Sequence, residues 1–168
     1  MAELTPQERL QPALLDRLMD DEPDKQQESR EQRVLSMAKL RQCVLRDMVW
    51  LLNSSNLETS EELDDYPYVA HSVLNYGLPD LAGRVASSMD VLALERMLRQ
   101  AIWDFEPRIL RNTVKVRAAL TEGQMNHNTL TFEIIGELWA QPIPVQLFLK
   151  TEIDLESGNV QVQDYAGK

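Results

Sequence analysis

Trp103-Asp104-Phe105-Glu106-Pro107-Arg108-Ile109-Leu110 is the stretch where the chain changes period. Upstream, Leu94, Leu98, Ala101, Ile102 and Phe105 recur at the spacing of one helical face. Downstream, Val114 and Val116 alternate with Thr113, Lys115 and Arg117 in the manner of a strand. Pro107 disfavours the helical conformation at Glu106 and so stops the helix. The charges flanking it read in two ways: as solvated groups at a helix stop, or as a rigid two-charge recognition point.

Working outward, the helix that ends here starts near Ser88, a residue suited to capping. Before it, Pro67 opens a short helix through Val69, Val73 and Leu74, with Gly77 placed to cap its end. An acidic loop over 54–66 carries Glu58, Glu61, Glu62, Asp64 and Asp65, without the order or glycine of a calcium loop. Further back, Ser29-Arg30-Glu31-Gln32 fits a capping box. The helical stripe Val34, Met37, Ala38, Val44, Leu45, Met48, Leu51 and Leu52 follows, with Arg41, Arg46 and Asp47 on its wet side. Residues 1–28 read as an N-terminal docking segment, with Leu14, Leu15 and Leu18 on one face, followed by a flexible polar linker.

Downstream of the junction the sequence predicts a strand over 109–119, a polar connection over 121–128 and alternation through Leu130, Phe132, Ile134 and Leu138. Gln141-Pro142-Ile143-Pro144 turns the chain. Val145, Leu147, Leu149, Thr151, Ile153 and Leu155 then alternate up to a tight turn at Glu156-Ser157-Gly158-Asn159, and Val160 and Val162 begin a return strand. Helices first and strands last predict an α+β fold, with N-terminal helices packed against a C-terminal antiparallel sheet in one domain over 29–168.

Composition narrows the function. A net charge of −10 repels nucleic-acid phosphates and anionic lipid heads at long range. The densest basic cluster is Arg108, Arg111, Lys115 and Arg117. With Cys43 as the sole cysteine there is no internal disulfide. No apolar run approaches the ~20 residues that span a bilayer. The first residues lack the basic start and apolar core of a signal peptide, which predicts a cytoplasmic location without direct membrane insertion.

Catalytic and cofactor signals are weak. His71 and His127 have no companion at metal-ligand spacing, and the six glycines form no phosphate loop, so no metal or cofactor is expected. For glycoside hydrolysis, Glu133 and Glu137 are candidates on one strand face. Four residues at about 3.3 Å each separate their backbones by roughly 13 Å, against the roughly 5–9.5 Å between carboxyl groups that such chemistry needs.

The triplet Glu106-Pro107-Arg108, between an amphipathic helix and a strand, resembles the signature of the TssE family, sheath-initiating baseplate proteins of bacterial type VI secretion systems. That family is similar to the small baseplate wedge protein of contractile phage tails. Three further stretches carry the resemblance: Arg9 to Leu18, Ser72-Val73-Leu74-Asn75-Tyr76-Gly77-Leu78-Pro79-Asp80-Leu81, and Gly136-Glu137-Leu138-Trp139-Ala140-Gln141-Pro142. It implies a non-enzymatic subunit that forms a wedge with TssF and TssG and offers a sheet edge to the TssB–TssC sheath. It also places Glu106, Pro107 and Arg108 at a protein-interaction surface. Because the family is sometimes filed under a lysozyme-like label, peptidoglycan cleavage stands as the alternative.

Overall fold

The computed structural model describes residues 13–18, 37–83, 89–119, 129–139 and 144–165. Helices α1 (Leu14–Leu18), α2 (Met37–Leu52), α3 (Pro67–Ala70) and α4 (Val91–Phe105) precede strands β1 (Lys115–Ala118), β2 (Thr129–Leu138), β3 (Val145–Asp154) and β4 (Val160–Asp164). The strands form one antiparallel sheet in chain order, so the fold is α+β as the sequence predicts. The capping box at Ser29, Ser88, the 121–128 connection and Gln141-Pro142-Ile143 lie outside the described residues.

Alternation decides which sheet face is covered. Phe132, Ile134 and Leu138 of β2 and Leu147, Leu149 and Ile153 of β3 are buried together with Leu40, Val44, Met48 and Leu51 of α2 and Leu94, Leu98 and Ile102 of α4. Helix α2 lies over β4 and α4 over β1. One polar residue, Thr151, is buried in this layer, and its hydroxyl donates to the Phe132 carbonyl at 3.2 Å. A buried hydroxyl paired in this way avoids the desolvation penalty of an unmade hydrogen bond. Cys43 is buried, and Met48, on the apolar stripe of α2, fully so.

Helix α4 is capped by Asp90 rather than Ser88: the Asp90 carboxylate accepts from Leu92 N at 2.9 Å and Ala93 N at 3.1 Å. The expected strand over 109–119 is broken. Only Lys115–Ala118 is regular strand, and a 3₁₀ turn over Arg111–Thr113 precedes it. Thr113 makes the break possible. Its hydroxyl donates to the Leu110 carbonyl at 2.7 Å and accepts from Glu137 N at 2.9 Å, standing in for a ladder partner. On the near side of the turn, pairing with the end of β2 continues. Leu110 N donates to Glu137 O at 2.8 Å, and Trp139 N to Arg108 O at 2.7 Å.

The helix expected from Pro67 through Leu74 is divided into α3 and a 3₁₀ turn over Val73–Asn75, because Ser72 leaves the helical region and its side chain caps Leu74 N. Gly77 does not cap that helix. At φ +120° it lets the chain pass against the end of α2, where a β-carbon would sit 2.2 Å from the Ser54 carbonyl oxygen. Replacing Gly77 with Ala is expected to cost roughly 2–4 kcal/mol, combining a disallowed backbone conformation with a clash against main chain. Urea unfolding measures it, and an unchanged midpoint would contradict the close approach.

Candidate functional site: a charge network at the helix–strand junction

The last hydrogen bond of α4 runs from Glu106 N to the Ile102 carbonyl at 2.9 Å, after which Glu106 leaves the helical region at φ −122° and ψ 76°. That turn points the Glu106 side chain inward, where the residue is 3 % exposed, while Pro107 stays exposed. A buried carboxylate needs a cation and several donors. Arg108 supplies them. Its Nε donates to Glu106 Oε1 at 2.7 Å, its Nη2 to Oε2 at 2.5 Å, and its backbone N to Oε1 at 3.1 Å. This two-pronged geometry is specific to a guanidinium.

The pair extends into a chain of charges. Arg108 Nη2 also reaches Asp47 Oδ2 of α2 at 2.5 Å. The other oxygen of Asp47 takes Arg46 Nε at 2.8 Å and Nη2 at 2.7 Å. Arg46 Nη1 reaches Asp16 of α1 at 2.8 Å, and its guanidinium lies 5.0 Å over the Trp50 ring. Arg46 and Asp47, read from the helical period as the wet side of α2, are therefore partly enclosed partners. So is Arg41, which pairs with Asp164 at the end of β4.

The electrostatics follow from burial and neighbours. Burial works against the Arg108 charge, but the hydrogen bonds and charges of Glu106 and Asp47 outweigh it and hold the guanidinium more firmly protonated than a free arginine. At Asp16 burial again opposes ionisation. The hydrogen bond from Arg46, with another from the Cys43 thiol, prevails and keeps its carboxyl below the ordinary value. Burial, then Asp16, pushes the Cys43 thiol up. Tyr76 packs edge-on to Phe105, the last residue of α4, at 5.2 Å, and its hydroxyl is raised by burial and then by the charges of Asp47 and Glu106.

The four stretches singled out in the sequence thus meet here. Asp16 comes from the first, Tyr76 from the second, and Glu106 and Arg108 from the junction. The fourth contributes Glu137 and Trp139 as backbone partners, and Gly136, where a β-carbon would stand 2.8 Å from Ile109 Cγ2. Asp16, Arg46 and Asp47 escaped sequence reasoning, since no local pattern ties Asp47 to an arginine 61 positions away. His71 pairs with Asp104 of α4 at 2.8 Å. His127 lies outside the described residues, among which no group of side chains is arranged to hold a metal. Glu133 and Glu137 stand on the less buried face of β2, in register with Lys150 and Gln146.

Three measurements probe this network. Replacing Arg108 with Ala leaves Glu106 buried without its cation and is expected to cost about 3–5 kcal/mol in urea unfolding. Asp47→Asn, at a more exposed carboxylate, costs less. A stability unmoved by Arg108→Ala would rule out the Glu106–Arg108 pair as a staple between helix and strand. The second measurement uses the Cys43 thiol. Asp16→Asn removes the negative charge that raises it, so alkylation at pH 8 is expected to accelerate about threefold or more. A carboxyl with a depressed folded pKa contributes stability above its unfolded value of 3.8 and loses it as pH falls through the lower folded value. Acid release of α1, followed by NMR, is therefore expected below pH 3.8 in the unmodified chain.

A family model described as the baseplate wedge protein gp25 matches residues 38–143, more than half of the chain, from the start of α2 to the approach to β3. No curated protein and no solved structure matches. The matched region contains the helix stop, the paired charges of Glu106 and Arg108, Asp47 opposite them, and the β2 end that receives them. TssE is the type VI homologue of that wedge protein, so the sequence resemblance and the family match agree. This chain belongs to the gp25 family of baseplate wedge proteins.

Proposed function

We propose that the chain is a non-catalytic baseplate subunit of a bacterial type VI secretion system that initiates polymerisation of the contractile sheath. The family supports the baseplate role. The observation that carries the finer reading is the outer edge of β4. Residues 159, 161, 163 and 165 direct their backbone groups toward β3, as the pairs Asp154 N to Asn159 O and Tyr165 N to Phe148 O mark out. Val160, Val162 and Asp164 therefore direct theirs outward. Both groups of Val160 are taken by the Asn53 side chain, at 2.8 and 2.9 Å. Among the described residues nothing takes those of Val162. The opposite edge is treated differently: α4 lies along β1, and the Glu95 carboxylate accepts from Ala118 N at 2.7 Å. An edge with unspent donors and acceptors is a template for strand addition.

In this reading TssB and TssC supply the incoming strand, and TssF and TssG complete the wedge. Glu106, Pro107 and Arg108 act together at the wedge surface. Glu106 fixes Arg108, and the exposed Pro107 is the rigid point of contact, with little entropy left to lose on docking. The N-terminal segment docks on a wedge partner: Asp16 anchors α1 while Leu14 and Leu18 stay exposed. The protein works in the cytoplasm and reaches the membrane-docked apparatus through partners. No helix among the described residues is long and apolar enough to cross a bilayer.

Val162→Pro tests the strand edge. Proline removes an outward N–H, a change that edge strands tolerate. Thermal melting is expected to stay cooperative, while fluorescent sheath assembly in cells falls at least about tenfold, equivalent to roughly 1.4 kcal/mol of lost association. Normal sheath assembly by the folded variant would sink the strand-edge reading.

A further inference from the structure

Between the end of α2 and residue 78 the chain makes a closed excursion. Asn56 N donates to Leu78 O at 3.0 Å and Leu78 N to Ser54 O at 2.8 Å, tying its base. Inside it the buried Asn75 amide donates to Ala70 O at 2.9 Å and accepts from Glu58 N at 3.0 Å. His71 fastens the excursion to α4 through Asp104, which Gln100 also holds. A segment cross-braced in this way nevertheless turns large side chains outward: Tyr66 is 61 % exposed, Tyr68 93 %, Val73 81 % and Leu74 68 %. Rigid, exposed tyrosines and aliphatics concentrated within a few residues are the composition of a binding surface.

Along the excursion itself the charge has one sign. From residue 47 to residue 83 the sequence has seven carboxylates and neither lysine nor arginine. Five of the seven, Glu58, Glu61, Glu62, Asp64 and Asp65, are exposed in the loop leading into Tyr66. We propose that this face docks a basic amphipathic segment of another protein, which sets apolar side chains against Tyr66, Tyr68, Val73 and Leu74 and lysines or arginines against the acidic loop. A second copy of the chain would bring the same negative charge to a self-complementary contact and be repelled. Residues 19–36 of the chain itself carry six carboxylates against three basic residues, the wrong balance for this surface. Nucleic acid and anionic lipid are excluded by the same sign of charge. The surface lies on different elements from the β4 edge, so it stands or falls independently of sheath initiation.

The test places the photo-crosslinking amino acid p-benzoylphenylalanine at Tyr68 or Leu74 of the full chain, in host cells assembling the whole apparatus, and sequences the captured peptide by mass spectrometry. The expected target is a segment of another protein in which lysine and arginine outnumber acidic residues and apolar residues recur at helical spacing. Glu61→Lys combined with Glu62→Lys is expected to cut the crosslink yield about fivefold or more, with an unchanged melting temperature because both side chains are exposed. Should that pair disturb folding, Tyr68→Ser in competition with the unmodified chain provides the same readout. Capture of another copy, of residues 1–36 or of an acidic segment would overturn the proposal. So would a yield indifferent to charge reversal, or no capture while the apparatus assembles.

Discussion

The buried carboxylate of Glu106 is the constraint on which the arrangement of the pieces depends. A charge this enclosed is tolerated only if its donors arrive together. The Arg108 guanidinium and the Arg108 backbone N–H do so only when α4 ends at Phe105 and Pro107 turns the chain outward, and the guanidinium then also donates to Asp47, presented opposite by α2. The same geometry delivers Arg108 O and Leu110 N to the end of β2. Ion pairs in such surroundings add little net stability because desolvation offsets attraction. What this one supplies is registry: it fixes where a helix, a second helix and a sheet edge meet, which nonpolar packing alone leaves adjustable.

Local physics made much of this legible. The change of period at residues 103–110, the proline stop and the alternation of Phe132, Ile134, Leu147, Leu149 and Ile153 reflect interactions within a few residues, and they located α4, β2 and β3. The misreadings share a cause. Ser88 and Asp90 are both competent caps, and only the backbone geometry selects Asp90. The strand over 109–119 breaks because the Thr113 hydroxyl finds the Glu137 N–H, a partner 24 positions away. Arg41, Arg46 and Asp47 occupy the polar side of α2 as expected, yet that side is roofed by Asp164, Asp16 and Arg108. Helical periodicity reports which side is polar, not whether another charged element will cover it.

The Glu106-Pro107-Arg108 triplet was visible, but its two readings differ in what Arg108 touches, and spacing carries no such information. Its Nε and Nη2 are committed inward, so the structural staple is present whatever else the motif does. Recognition through this junction then has to use what the staple leaves outside: the exposed Pro107 ring and the orientation of the neighbouring backbone.

The two sheet edges carry the argument further. On β1, exposed Lys115 and Arg117 and the Glu95 carboxylate discourage a new strand. On β4, Asn53 occupies the backbone of Val160 at one end and the Arg41–Asp164 pair sits at the other. Open pairing capacity then begins past Val160, at the outward N–H and C=O of Val162. An added strand that slides toward Val160 meets the Asn53 amide, which already holds both backbone groups of that residue. Because a one-residue slip reverses every side chain of an added strand, blocking the edge at Val160 restricts the registers that such a strand can take.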